Sequence, residues 1–200
     1  MNIYVTHYYK QGTTPFQSLS ALSDQEALRV MEQLGSDSPL FARFKTPVAY
    51  WNTRKQVEQW LLDRFTAKGA KPAAAYPLYA VLGSSAWIEK YGTAFDIISI
   101  RISLTLFSAH DISFTYPDSM VSYEQSNRLV QQMEATNDNL TWQQSMYGQV
   151  FTLDEIQQRL ANDNLLEQIS DSELPEETAP YIEAQIWNHG LLNGEKTFPG

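Results

Sequence analysis

The chain contains no cysteine. That excludes disulfides, thiolate metal sites and a cysteine nucleophile, and it fits a cytoplasmic protein. Histidine is nearly as scarce. His7, His110 and His189 lie far apart, without HExxH or any paired metal-ligand spacing, so no metal site is expected. No stretch reaches the roughly 18 uninterrupted apolar residues that a spanning helix needs, so no membrane segment is expected. The opening MNIYVTHYYK lacks a basic region and a long apolar run, and reads as a strand rather than a signal peptide. The phosphate-cradling loops GxGxxG and GxxxxGK[ST] and the nucleophile elbow GxSxG are also absent. Basic charge is in deficit: 14 Lys and Arg face 23 Asp and Glu, a formal charge of −9. Residues 160–195 hold Asp163, Glu167, Asp171, Glu173, Glu176, Glu177, Glu183 and Glu195 with no Lys or Arg. Such a segment repels phosphate, so broad nucleic-acid binding is disfavoured.

What is present is strong patterning. From Ile97, the residues Ile98, Ile100, Ile102 and Leu104 alternate with Ser99, Arg101, Ser103 and Thr105. That period of two predicts a strand over 97–105. Ser108 to Asp111 is turn chemistry, and Ile112, Phe114 and Tyr116 then predict a strand over 112–116, paired with the first. Further strands are expected at 2–8, 78–83 and 147–152. Helices are expected at 24–34, 47–68, 122–135, 153–161 and 181–189. Ser23 with Glu26, and Thr152 with Glu155, have capping-box spacing. Pro47 suits a first helical position. Asp118 and Ser119 read as caps. The fold class is α+β with a mixed or antiparallel sheet. One domain is expected over 1–162, followed by an acidic linker and a C-terminal helix over 163–200, with 163–175 mobile.

The segment Ile97 to Ser119 resembles the middle of ADP-ribosyltransferase-like proteins, with Phe114-Thr115-Tyr116-Pro117-Asp118-Ser119 as its polar corner. Ile3-Tyr4-Val5-Thr6-His7 resembles the opening strand of that family, and Tyr147-Gly148-Gln149-Val150-Phe151 its late strand. The chain is also similar to bacterial proteins with VTHYY, PFQSLS and FTYPDSM segments, a likeness that carries no function. The family resemblance implies NAD as cofactor and a macromolecular acceptor, nucleic acid or protein. It implies that Thr6 and His7 meet the cofactor, that Arg43 or Arg54 holds the pyrophosphate, and that Tyr116 stacks on nicotinamide with Ser119 beside it. Gln149 takes the place of the family's catalytic Glu. A neutral amide there keeps a hydrogen bond and loses the charge, so Glu124 or Glu155 could supply the carboxylate instead.

Two other readings stand beside this one. The acid-only stretch 160–195 suits a non-enzymatic interaction or inhibitor protein that meets a basic partner. An α+β ligand-binding domain is the third. For single residues the bland readings are a satisfied core histidine at His7, capping at Asp118 and a surface pair of Arg54 with Glu58 one turn on.

Overall fold

The computed structural model describes residues 3–35, 39–133, 146–162, 165, 181–192 and 197–199. Its strands are β1 (Tyr4–Lys10), β2 (Leu78–Leu82), β3 (Ile97–Ser103), β4 (Ile112–Thr115), β5 (Phe151–Thr152), β6 (Glu183–Ile186) and β7 (Thr197–Pro199). Its helices are α1 (Asp24–Leu34), α2 (Pro47–Ala67), α3 (Ala86–Gly92), α4 (Ser119–Met133) and α5 (Leu153–Asn162), with a 3-10 segment at Pro39–Lys45. The strands form one sheet in the order β5-β4-β6-β2-β1-β3-β7, antiparallel throughout. The fold is α+β, as the clustering of patterns predicts.

The two faces of this sheet are chemically different. Val5, Leu78, Leu82, Ile102, Ile112, Phe114, Ala184 and Ile186 make one apolar face, and Leu153 and Ile156 of α5 pack into the same core. Thr6, Tyr8, Tyr79, Ser113, Thr115, Glu183 and Gln185 fall on the other face, because side chains alternate along a strand. That second face is also covered. Val57, Leu61 and Phe65 of α2 pack with Trp187 and Tyr79, and α1 packs on α2 through Ala27, Met31, Tyr50 and Trp51. The helices begin where capping chemistry places them. Ser23 and Glu26 close a full capping box, Thr152 and Glu155 exchange the same two bonds, and Pro47 opens α2. Asp118 Oδ1 accepts from Met120 N at 2.9 Å and Val121 N at 3.1 Å, so α4 starts at Ser119, before the expected 122.

Three expectations are corrected. The strands at 97 and 112 are not partners: β1, β2 and β6 lie between β3 and β4. Leu104 and Phe107 in their connection are buried in the apolar core, which draws the chain beneath the sheet instead of into a hairpin. The helix expected at 181–189 is strand β6, followed by a 3-10 turn at His189–Leu192. All of Tyr181 to Trp187 is buried, which an interior strand achieves and a one-faced helix does not. Glu, Ala and Gln favour helix, but Ile182, Ala184 and Ile186 alternate with Glu183, Gln185 and Trp187, and burial on both faces overrides propensity. The boundary after 162 is therefore not the edge of the domain, since β6 sits between β4 and β2 and β7 pairs with β3. The segment expected to be mobile, 163–175, lies outside the described residues apart from Leu165, which is buried in the apolar core. The late strand is shorter than expected, at Phe151–Thr152, because Gly148 turns the chain before it at φ +68.

Gly148 generates a stability prediction. A Cβ there would lie 2.7 Å from Ser126 Cα and 2.9 Å from Ser126 N, in a backbone conformation that disfavours side chains. Gly148→Ala should lose about 2 kcal/mol or more in urea unfolding. A loss below half of that would show that α4 and the turn separate easily.

Candidate functional site

A chain of buried hydrogen bonds runs along the polar face. Trp187 Nε1 donates to Ser113 Oγ at 2.9 Å, and Ser113 Oγ donates to Gln185 Oε1 at 3.0 Å. Gln185 Nε2 donates to Thr115 Oγ1 at 3.0 Å and to Glu183 Oε2 at 3.3 Å. Ser119 N, at the start of α4, donates to the same Glu183 oxygen at 2.8 Å. Each side chain in the chain is buried, and each polar group has a partner, as burial in a low-dielectric interior requires.

At Glu183 this network meets a cavity of about 280 Å³. Thr6 and Tyr8 of β1 and Tyr79 and Val81 of β2 form its floor, with Tyr181 and Glu183. Tyr50, Arg54 and Val57 of α2 form one wall, Ser119 and Met120 of α4 another, and Leu40, Phe41, Arg43 and Phe44 of the 3-10 segment a third. Arg54 is held on several sides. Its Nε lies 3.0 Å from Ser20 Oγ and 3.0 Å from Glu58 Oε1, its other nitrogens donate to Tyr50 Oη and Ser18 Oγ, and its guanidinium stacks 4.8 Å over the Tyr79 ring. Ser20 and Tyr79 both donate to Glu58 as well. Arg43 bonds the Tyr181 hydroxyl and faces Tyr50, Asp118 and Glu183. Both guanidiniums are enclosed by protein and keep some accessible surface.

The electrostatics follow from enclosure. Burial works against charge on Arg43, yet Tyr50, Tyr181, Asp118 and Glu183 hold it firmly protonated. Burial and then the Asp118 carboxylate push Glu183 up to about 7, against the Ser119 hydrogen bond and Arg43. Burial likewise raises the Tyr181 and Tyr79 hydroxyls far above their ordinary value, so both remain donors at neutral pH.

The residues named by the family resemblance are divided by the fold. Thr6, Arg43, Arg54 and Ser119 line the cavity together. His7 does not, because it projects from the opposite face of β1. Its Nε2 accepts from Phe16 N at 2.9 Å and its Nδ1 lies 3.0 Å from Tyr79 O, so it is a satisfied neutral histidine, which burial favours. Tyr116 is fully buried in the apolar core against Tyr147 and cannot stack on a ligand. Gln149 and Glu155 share a shallow polar groove with Arg159 near the β5 edge, and Glu155 is paired with Lys68 at 2.7 Å. Glu124 is exposed on α4. The expected convergence of His7, Tyr116 and Gln149 with the arginines does not occur. Sequence reasoning missed Glu183, Tyr79, Tyr181 and Tyr50 as site residues. Glu183 was counted in an acidic solvated stretch, although the alternation of 181–187 was a usable signal.

No protein-family model, curated protein or solved structure matches the chain. No described helix is long and apolar enough to cross a membrane, and no cluster of His, Asp and Glu among the described residues has the makings of a metal site.

Glu183 sets a pH dependence. Its carboxyl ionises near 4.5 when unfolded and near 7 when folded, so its contribution to stability is full below 4.5 and is lost as pH rises through 7. Glu183→Gln keeps a neutral acceptor there. It should be more stable than the wild type by about 2–3 kcal/mol at pH 8 and no more stable at pH 4, read from urea titrations. Equal stability at pH 8 would contradict the assignment.

Proposed function

We propose that the protein binds a small planar organic molecule in the cavity between α2, α4 and the polar sheet face. One observation carries this reading: a partly open cleft walled by Phe41, Phe44, Tyr50, Tyr79 and Tyr181 into which fixed polar groups converge. Small-molecule sites combine apolar and aromatic walls with a few placed polar groups in this way. A buried polar network and two held guanidiniums are costly to assemble, and a ligand that uses them accounts for that cost. The volume lies just under the roughly 300–1,000 Å³ of pockets for drug-sized ligands, so the occupant is metabolite-sized and smaller than a dinucleotide. Transfer of ADP-ribose from NAD is left out of the proposal because the residues nominated for that step are spread over both faces and one edge of the sheet.

Thermal shift with single-ring and two-ring aromatic compounds, with NAD alongside, tests the reading. A true ligand at a hundredfold excess over its Kd adds about 2.7 kcal/mol, which moves the melting point by several degrees. Met120→Trp, which fills the cavity from α4, should remove the response while the protein stays folded. No response to any aromatic compound, or an undiminished response in the variant, would overturn the proposal. A response to NAD alone would restore the NAD-using reading.

A further inference from the structure

Given the ligand-binding reading above, the groups that line the cavity decide which kind of ligand it suits. Two of them are guanidiniums, Arg43 and Arg54, and one is a carboxyl, Glu183. Glu58 and Asp118 stand behind this lining with partners of their own. Glu58 pairs with Arg54 at 3.0 Å and accepts from Ser20 and Tyr79, and Asp118 Oδ1 takes the first amides of α4. Arg54 is thereby matched by a carboxylate. Arg43 bonds the neutral Tyr181 hydroxyl and, among the described residues, forms no ion pair, so one unmatched positive charge faces the cavity. The polar hydrogens left over agree with this. A guanidinium has five N–H donors and no acceptor, so the bond to Tyr181 leaves Arg43 with donors to give. The Tyr50 hydroxyl accepts from Arg54 at 3.2 Å and the Tyr181 hydroxyl from Arg43, and among the described residues neither has an acceptor for its own proton. Tyr8 and Tyr79, by contrast, already donate to Glu89 and Glu58.

We infer that the cavity takes the carboxylate end of a small aromatic acid, with Arg43 as the cation that receives it and the Tyr50 and Tyr181 hydroxyls as further donors. Both hydroxyls belong to groups that face Arg43. A fork of N–H donors matches a carboxylate in shape as well as in charge, and a single negative charge suits the single unmatched cation. The rings of Phe41, Phe44 and Tyr79 pack on the aromatic body. Glu183 is the group that must adjust. Ionised, it offsets Arg43 and repels a second carboxylate, whereas protonated it does neither. Its Oε2 accepts from Ser119 N at 2.8 Å and from Gln185 Nε2 at 3.3 Å, so the proton belongs on Oε1, as one more donor. Asp118 faces Glu183 from the start of α4, Arg43 from the 3-10 segment, Tyr181 from its own segment and Tyr79 from β2, with Arg54 and Glu58 of α2 beyond Tyr79. Ser119 bonds Glu183 through its amide and its side chain, and Thr115 on β4 is uncharged. Wherever Glu183 is ionised beforehand, binding of the acid therefore draws a proton from solvent onto it.

Calorimetry on the full chain with phenylacetate, its neutral analogue phenylacetamide and phenethylamine tests this, in buffers of low and high ionisation heat. A carboxylate of this kind stays charged from pH 6 to 8, as glutamate does with a pKa of about 4.3. At pH 6 phenylacetate should bind about tenfold more tightly than phenylacetamide, or better, and phenethylamine more weakly than either. Phenylacetate should bind about tenfold more tightly at pH 6 than at pH 8, because Glu183 must be neutral. At pH 8 its binding should take up about one proton, read from the difference between buffers. Glu183→Gln should hold phenylacetate at pH 8 as tightly as the wild type does at pH 6, without proton uptake. Arg43→Gln should erase the preference for acid over amide, and the wild-type comparison of acid with amide stands even if that variant misfolds. Equal binding of acid and amide, preference for the amine, or acid binding at pH 8 without proton uptake would overturn the inference and leave the ligand-binding reading intact. Failure of all three probes, where other aromatic compounds still raise the melting point, would do the same. If no aromatic compound raises it, both fall.

Discussion

A sheet buried on both faces must satisfy every polar group it carries, and this protein carries many on one face. Ser113, Thr115, Glu183 and Gln185 lie beneath helices, out of reach of bulk water. An unpaired polar group in such a place costs about 1–3 kcal/mol, so the chain from Trp187 to Ser119 is what allows the helical layer to close over the sheet. Its geometry is over-determined. Ser113 fixes one end of the Gln185 amide, and Thr115 and Glu183 fix the other.

The position of α4 depends on the same groups. Asp118 caps its first turn through Oδ1, and the Ser119 amide is spent on Glu183. Two acidic side chains thus share one helix start, where the dipole favours negative charge. Placing them side by side in an enclosed site is also what raises the Glu183 carboxyl. Structural closure and site electrostatics have one origin here. The other face is ordinary by comparison, filled by Ile112, Phe114, Ile182 and Ile186 with Ile156 of α5, and it supplies much of the burial that stabilises the sheet.

The cavity survives because its walls are held from behind. Tyr79, Ser20 and Arg54 converge on Glu58, and Trp51 of the same helix bonds Asp24 of α1 at 2.9 Å. Arg54 and Glu58 do pair at one-turn spacing, as their positions in sequence suggest. What differs is the setting. The pair is turned inward and stacked on Tyr79, so it belongs to the site rather than to a solvated surface.

Local rules legible in the sequence were those that act within a few residues. Period-two alternation located β1, β3 and β4, capping-box spacing located the starts of α1 and α5, and Pro47 located the start of α2. Alternation states which residues share a face. It says nothing about which strand lies alongside, so the separation of β3 from β4 by three strands was decided by long-range pairing and by burial of Leu104 and Phe107. For the same reason Arg43 and Arg54 could be named as anion-holding candidates, but not Glu183, more than a hundred residues away, which changes their charge balance. His7 and Thr6 are adjacent in sequence and lie on opposite faces, so only one of them reaches the cavity. Propensity read 181–189 as helix. Burial on both faces made it the interior strand that carries the site's central carboxylate, because a segment with no exposed side must take its hydrogen bonds from neighbouring strands.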